Sequence, residues 1–393
     1  LDRGHIAQWT EEYESRLTRE LDMIESKAYE SYFIVVAEMI DWAKQRMIVG
    51  PARGSSAGSL VCYLMGITEV DPLVHGLIFE RFIDVNRDDL PDIDVDFNDQ
   101  KRELVFEHLR ELYGEANVAR IGSVNRLKPR SVIAHVGKKL GVPHGAAFGV
   151  TNVLIEYSSG DSRYGKGLED TLNNTQPGRD FMRRYPEADL MGELENHASH
   201  SGQHAAGIIV SNEPVTDYCT VRNGIAHIDK KDAEKLNLLK IDALGLRTLG
   251  VIEDTGCVTA EELYALKLDD PEVLKIFDER KFSGLFQFEG AAQRRVSIQV
   301  PIDSFSKIDH VTALARPGPL GGGAANTYIN RNAGQESVEY RHPSMEAYLS
   351  DTQGVVLYQE QVMRIVREIG DFSWEDTSTI RKGTRFAISG LGG

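Results

Sequence analysis

The chain is short of several things that would place it at once. It has only three cysteines among 393 residues, Cys62, Cys219 and Cys257, far apart and odd in number. That leaves no disulfide framework and no zinc-ligand spacing, and fits a reduced compartment. No apolar run approaches the roughly 18 residues of a membrane-spanning helix, the opening residues lack the pattern of a secretory leader, and no internal repeat is visible. Positive charge is scarce as well: 44 Lys and Arg against 60 Asp and Glu give a net charge of −16. Taken globally, that argues against a nucleic-acid partner, because phosphate backbones are met by Lys and Arg.

Net charge is not local potential. Part of the acidity is gathered in one stretch, with Asp84, Asp88, Asp89, Asp92, Asp94, Asp96 and Asp99. Basic groups stand elsewhere: Arg126, Lys128, Arg130, Lys138 and Lys139; then Lys281, Arg294, Arg295 and Lys307; then Arg364, Arg367, Arg381, Lys382 and Arg385. Each of these also reads as an ordinary solvated face. A hydrophobic content of 41% supports proper cores, and the length suits two to four structural units.

Within the acidic stretch, Asp92, Asp94 and Asp96 alternate with Ile93, Val95 and Phe97 after Pro91. The intervening residues favour a β-strand, in which positions i, i+2 and i+4 share a face. Three carboxylates on one face repel, and a divalent cation offsets that repulsion; Mg²⁺ takes a few carboxylates together with water and phosphate. The plainer reading is an acidic edge strand that resists edge pairing. Upstream, Gly50, Arg53, Gly54, Ser55, Ser56, Gly58 and Ser59 form a Gly/Ser loop that runs into the apolar stretch 60–65. A loop entering a helix start offers free backbone N–H groups, and Arg53 adds charge, which together suit phosphate. No Gly-Lys-Ser/Thr ends it, so it is not a Walker A loop, and a turn with a Ser cap is the plainer reading. Further on, Leu238 to Gly245 reads as a buried strand carrying Lys240 and Asp242. Buried Asp is rare unless paired or bound to metal, and an ion pair to Lys240 across two positions of one strand face is open too. A phosphate loop, an Asp-x-Asp strand and a later Asp on another strand are together the components of a two-metal nucleotidyltransferase site.

Along the chain, Trp9, Tyr13, Leu17, Leu21 and Ile24 have helical spacing, a second helix is expected over residues 32–46, and a third over 102–113 that ends at Gly114. Pro129 opens a helix that Gly141 closes, and the polar stretch 157–176 reads as a mobile loop. Residues 205–210 and 236–241 are strand-like, and from about Leu246 the chain reads as mostly helical. The fold class is therefore mixed α/β (α+β), with a middle segment inserted into the α/β unit.

The chain closely resembles the bacterial replicative DNA polymerase III alpha subunits, the C-family DNA polymerases. The matching stretches are Gly-Pro-Ala-Arg-Gly-Ser at 50–55, Ile-Phe-Glu-Arg-Phe at 78–82, Leu-Pro-Asp-Ile-Asp-Val-Asp-Phe at 90–97 and Gln-His-Ala-Ala-Gly at 203–207. They continue with Leu-Lys-Ile-Asp-Ala-Leu-Gly-Leu-Arg-Thr-Leu at 239–249, Leu-Phe-Gln-Phe-Glu at 285–289, Ala-Arg-Pro-Gly-Pro-Leu at 315–320 and Val-Leu-Tyr-Gln-Glu-Gln-Val-Met at 356–363. The resemblance implies a polymerase beta–like nucleotidyltransferase palm over 1–123 and 198–246, a helical thumb inserted at 124–197, and partial, mainly helical fingers over 247–393. It implies Asp92, Asp94 and Asp242 as catalytic and metal-binding residues, with Asp96 and Lys382 supporting. It implies nucleotide contacts from Arg53, Gly54, Ser55, Arg81, Arg87, Lys240, Arg316 and Arg381. Ordinary surface pairing with Asp84, Asp88 or Asp89 is the plainer reading for Arg81 and Arg87.

The implied cofactor is Mg²⁺, two ions, with Mn²⁺ as an alternative. The implied partners are primer-template DNA and a dNTP, and for the full-length family a sliding clamp and other replicase subunits; no membrane is involved. The implied location is the cytoplasm, near the nucleoid, or a host cytoplasm if the source is viral. Gln203 departs from the Lys found before His204 in part of the family, so a DNA-backbone contact there is not expected, and His204 reads as structural. Family members carry a further domain ahead of the region matching Leu1 and continue past Lys382, where the match dissolves. A fragment, a frameshifted end and an unusual viral polymerase each fit. The expected function is template-directed DNA synthesis by two-metal nucleotidyl transfer; the alternative is a truncated, catalytically silent nucleic-acid-binding fragment, with the segment from about Gly354 onward the least stable part.

Overall fold

The structure, a computed structural model, describes residues 6, 8–84, 86, 91–157, 163 and 165–381. Among these the strands are β1 (Asp94–Asn98), β2 (Val118–Arg126), β3 (Ala198–Val210), β4 (Val221–Arg222), β5 (Ile225–Ala226) and β6 (Leu239–Leu246). The helices that matter below are α1 (Glu11–Ser26), α2 (Glu30–Lys44), α3 (Leu60–Leu64), α4 (Arg102–Tyr113), α5 (Pro129–Lys139), α6 (His144–Thr151), α7 (Gly167–Asn174), α8 (Gln176–Arg184), α9 (Asp189–Leu194), α10 (Lys230–Lys235) and α11 (Arg247–Thr255). The mixture of helices and strands is the α/β class expected from the sequence. No helix among the described residues is long and apolar enough to cross a membrane. The chain forms two compact units, the first built from the segments up to Leu112 and from Leu239 onward, the second from Tyr113–Leu238.

In the first unit, Trp9 ahead of α1 and Tyr13 and Leu17 within it pack around Ile6, Leu60 and Tyr63. The stripe drawn from the sequence needs one correction: Leu21 is 48% exposed, while Glu20 is fully buried. Positions 17, 20 and 24 share the inward face at helical spacing, so Glu20 points in and Leu21 points out. The buried carboxylate is fully engaged. It takes the Ser59 hydroxyl at 2.8 Å and the backbone N–H groups of Leu60 and Val61 at 2.9 and 3.0 Å, and pairs with Arg16 Nε at 2.6 Å. These amides are orphan donors of the first turn of α3, so Glu20 caps that helix from outside.

β1 and β6 lie parallel, with Asp94 opposite Asp242 and Asp96 opposite Leu244. The strand begins at Asp94 rather than at Pro91, because the Ile93 N–H bonds to the Tyr32 hydroxyl of α2 at 3.0 Å instead of joining a ladder. Burial pushes the Tyr32 phenol well above its ordinary value. The opposite edge of β1 is bridged antiparallel at Val49 and Phe97, with Gly50 N donating to Asp96 O at 2.7 Å. Beyond β1, Glu253 of α11 accepts from Asn98 Nδ2 at 2.8 Å and from Ile48 N at 3.2 Å, and pairs with Lys101. Helix α4 ends at Gly114 with φ +97°, where the sequence placed its stop.

From α11 to residue 381 the described chain is helical. Its core is Phe277, Phe288, Val296, Val300, Val311, Leu314 and Tyr328. Inside it the buried His310 meets the Tyr328 hydroxyl at 2.8 Å and Asp351 at 3.3 Å. Burial holds this imidazole below its usual range in spite of Asp351.

The second unit contains the strands β3, β2, β5 and β4 in that order, with β2 antiparallel to β3 and parallel to β5. Ala119, Ile121, Ile209, Val215, Ala226 and Leu238 form their core. A register shift between Arg120 and Gly122 bulges β3, and His204 Nδ1 accepts the N–H of Gly207 at 2.9 Å and of Ala206 at 3.3 Å there. Helices α5 to α9 gather around Val132, Ile133, Val150, Leu168, Leu172 and Phe181. The stretch read as a mobile loop therefore contains α7, with Leu168 and Leu172 buried one turn apart; its residues 158–162 and 164 lie outside the described residues. Polar residues hid the helix, but they satisfy one another. Thr171 Oγ1 accepts from Ile155 N at 2.8 Å and donates to Gly167 O at 2.6 Å. Asp170 takes the Tyr157 hydroxyl at 2.7 Å and Arg163 Nε at 3.0 Å.

Two stability predictions follow from the braces of the first unit. Glu20→Ala strands the amides of α3 and removes the partner of Arg16 Nε, and should cost about 3 kcal/mol or more in chemical denaturation; a loss below about 1 kcal/mol contradicts the cap. For Glu253, burial raises the carboxyl, but Lys101, Asn98 and the Ile48 amide outweigh it and hold it below its ordinary 4.5. A depressed carboxyl contributes stability that is present above its unfolded value and is lost as pH falls through the folded value. Glu253→Gln should therefore melt earlier than the unaltered chain near neutral pH, with the gap closing as pH drops below 4.5; a gap that stays constant with pH rejects this.

Candidate active site

The β1–β6 register brings Asp94 and Asp242 side by side, and Asp92 joins them from the residues just before β1. One carboxylate oxygen from each lies within 4.8 Å of the other two. Asp242 is buried and Asp92 partly exposed. Lys240 comes from β6 two residues before Asp242 and is buried too, with Nζ 2.7 Å from Asp92 and 3.1 Å from Asp242. The ion pair between Lys240 and Asp242 that strand spacing allows is thus present. Oxygen-only donors of this kind suit a hard divalent ion such as Mg²⁺ or Mn²⁺. Asp96 shares the β1 face but is turned to another task, pairing with Arg53 at 3.1 Å.

The loop at 50–58 is pressed against β1. A Cβ at Gly50 would stand 2.9 Å from Asp96 Cβ, and one at Gly54 would stand 3.3 Å from Asp94 Oδ2 at a φ of +67°. Glycine is required at Gly50 by close approach, and it is favoured at Gly54 by its left-handed backbone. The loop therefore lies beside the carboxylates, with Arg53, Gly54 and Ser55 at its tip. One expectation is corrected here. The helix start behind the loop offers no free N–H groups for phosphate, because Glu20 occupies those of Leu60 and Val61 and Ser59 caps Cys62 N at 3.2 Å.

The remaining basic residues divide. Arg81 pairs with Glu360, and its carbonyl accepts from Arg381 at 3.3 Å. Arg381 also lies 3.6 Å from Asp84, which accepts the Ser378 hydroxyl. Arg81 thus pairs with Glu360, distant in the chain, while Asp88 and Asp89 lie outside the described residues. Arg316 is exposed at the N-cap of the helix Pro317–Gly321. Arg87 and Lys382 lie outside the described residues.

Sequence reading missed Glu20, Tyr32, Glu253 and Glu360. Only Glu20 had a local signal, a charged residue at an inward helical position between Leu17 and Ile24. The others act through contacts far along the chain.

With the geometry in hand, the relatives are informative. Residues 3–245 match the family described as the bacterial DNA polymerase III alpha NTPase domain, and residues 247–386 match the bacterial DNA polymerase III alpha subunit finger domain. A DNA polymerase III subunit alpha of Aquifex aeolicus is 36% identical over 97% of this chain and 36% of its own length. One from Staphylococcus epidermidis is 34% identical over 94% of this chain and 35% of its own length. One from Buchnera aphidicola is 33% identical over 94% and 34%. The chain spans about a third of the length of these curated relatives. It belongs to the bacterial DNA polymerase III alpha family.

Proposed function

We propose that the first unit carries the nucleotidyl-transfer centre of a template-directed DNA polymerase acting in replication. The observation that carries this reading is the parallel register that sets Asp94 opposite Asp242, with Asp92 completing the oxygen cluster beside the glycine loop. We assign residues 1–123 and 198–246 to a polymerase beta–like palm, 124–197 to the thumb and 247–393 to the fingers. The finger-domain match and the separate helical core of residues 132–191 support that division. The substrates are a dNTP and primer-template DNA in a bacterial cytoplasm, and the whole family member would add a sliding clamp and other replicase subunits.

In the reaction the primer 3′-oxygen forms a bond to the α-phosphorus of the dNTP, and the bond from that phosphorus to the bridging oxygen of pyrophosphate breaks. Asp92, Asp94 and Asp242 would hold the Mg²⁺ ions, which supply positive charge at the reacting phosphate and lower the pKa of the attacking hydroxyl. Asp242, the most buried of the three, serves the primer side. Arg53 and the Gly54–Ser55 backbone meet the triphosphate, the guanidinium leaving Asp96 to do so. Arg81, Arg87, Lys240, Arg316 and Arg381 supply further positive charge toward nucleotide or primer, and Asp96 and Lys382 support them. The protein's work is positioning and charge stabilisation, with no covalent intermediate.

Primer extension and Mn²⁺ binding test this together. Asp94→Asn and Asp242→Asn should each reduce incorporation about 100-fold or more and weaken Mn²⁺ binding, with the melting temperature kept or raised as like-charge repulsion is relieved. Full incorporation by Asp242→Asn contradicts the assignment. Mn²⁺ binding without any incorporation by the unaltered chain would favour the catalytically silent alternative.

The loop is tested separately. Arg53→Ala should raise the nucleotide KM about tenfold, the loss of one charge-assisted contact, and leave primer-template affinity unchanged. A fall in DNA affinity with KM unchanged would make the loop a template contact.

A further inference from the structure

We propose that Lys240 is an internal counter-ion that competes with divalent metal for the carboxylate cluster and is released when metal binds. The proposal rests on the reading of Asp92, Asp94 and Asp242 as a metal centre. Lys240 Nζ lies 2.7 Å from Asp92 Oδ1 and 3.1 Å from Asp242 Oδ2, so it bridges two of the three carboxylates that would hold the ion. A metal ion needs carboxylate oxygens at about 2.0–2.1 Å, and an ammonium in contact with the same carboxylates would repel it at close range, where little water screens the two charges. The side chain is only 9% exposed, so its charge is set among these carboxylates rather than in solvent.

Two consequences follow. Lys240 offsets one of three negative charges and so eases the repulsion that the parallel register imposes. The same contact weakens divalent binding. Metal entry then frees an ammonium beside the cluster, where it can meet a phosphate of the nucleotide or the primer. Lys240 is in this sense a positioning residue whose charge passes from carboxylate to phosphate as the site loads.

The test is Mn²⁺ binding to the full chain without nucleotide or DNA, followed by electron paramagnetic resonance. Lys240→Met should bind Mn²⁺ about tenfold more tightly than the unaltered chain, equivalent to about 1.4 kcal/mol. Lys240→Arg, which keeps the charge, should stay within about threefold of it. Because Lys240→Met removes a buried positive charge from the carboxylate cluster and could fold poorly, the unaltered chain supplies a second readout. Acetic anhydride labelling of Lys240, read by mass spectrometry, should be slow without metal and rise several-fold as Mn²⁺ is added. Equal Mn²⁺ affinity for the Met variant, or labelling that does not change at saturating Mn²⁺, overturns the counter-ion role and leaves the metal centre standing. No Mn²⁺ binding by the unaltered chain overturns the metal reading itself.

Discussion

The first unit depends on a costly arrangement: a parallel strand pair whose register sets one aspartate against another. Backbone hydrogen bonding between β1 and β6 fixes Asp94 opposite Asp242, and hydrophobic burial of Ile93, Val95, Phe97, Ile241 and Ala243 holds the pair in place. A register slip by one residue would turn those apolar side chains outward. The fold therefore cannot relieve the repulsion by sliding. Positive charge is needed locally, and part of it comes from the same strand, through Lys240.

Around that pair the neighbours are arranged to leave β1 no freedom. The Tyr32 hydroxyl takes the N–H ahead of the strand, Gly50 bridges its outer edge and Glu253 clamps Asn98 at its end. Each of these groups comes from a different element, so the carboxylates are positioned by tertiary structure rather than by local preference. Charges are matched in the same way. Arg53 rests on Asp96, and Lys240 on Asp92 and Asp242. Both cations are held on carboxylates of or beside the β1–β6 pair.

Much of this was legible in the sequence. Alternation marked Asp92, Asp94 and Asp96 as a shared face, and a buried strand marked Lys240 and Asp242, because period-2 patterns are local. Spacing alone could not separate Asp96 from its neighbours, and the Arg53 contact it makes joins residues 43 positions apart, which no local pattern shows. The loop glycines were visible, but the closure of the helix start behind them was not, since Glu20 reaches it from a preceding helix. The helix α7 was hidden for a different reason. Its buried Thr171 and Asp170 are polar, and only their mutual hydrogen bonding makes that burial acceptable. Pairs such as Arg81 with Glu360 join segments far apart, and no local pattern carries them.

The most direct test of the central claim is crystallographic. Crystals of the chain soaked in Mn²⁺ and measured at the manganese absorption edge should show an anomalous peak bounded by carboxylate oxygens of Asp92, Asp94 and Asp242, with Lys240 Nζ withdrawn from Asp92 and Asp242. A peak located elsewhere, or no peak while Lys240 keeps both contacts, would contradict the account that this strand pair was built to hold metal.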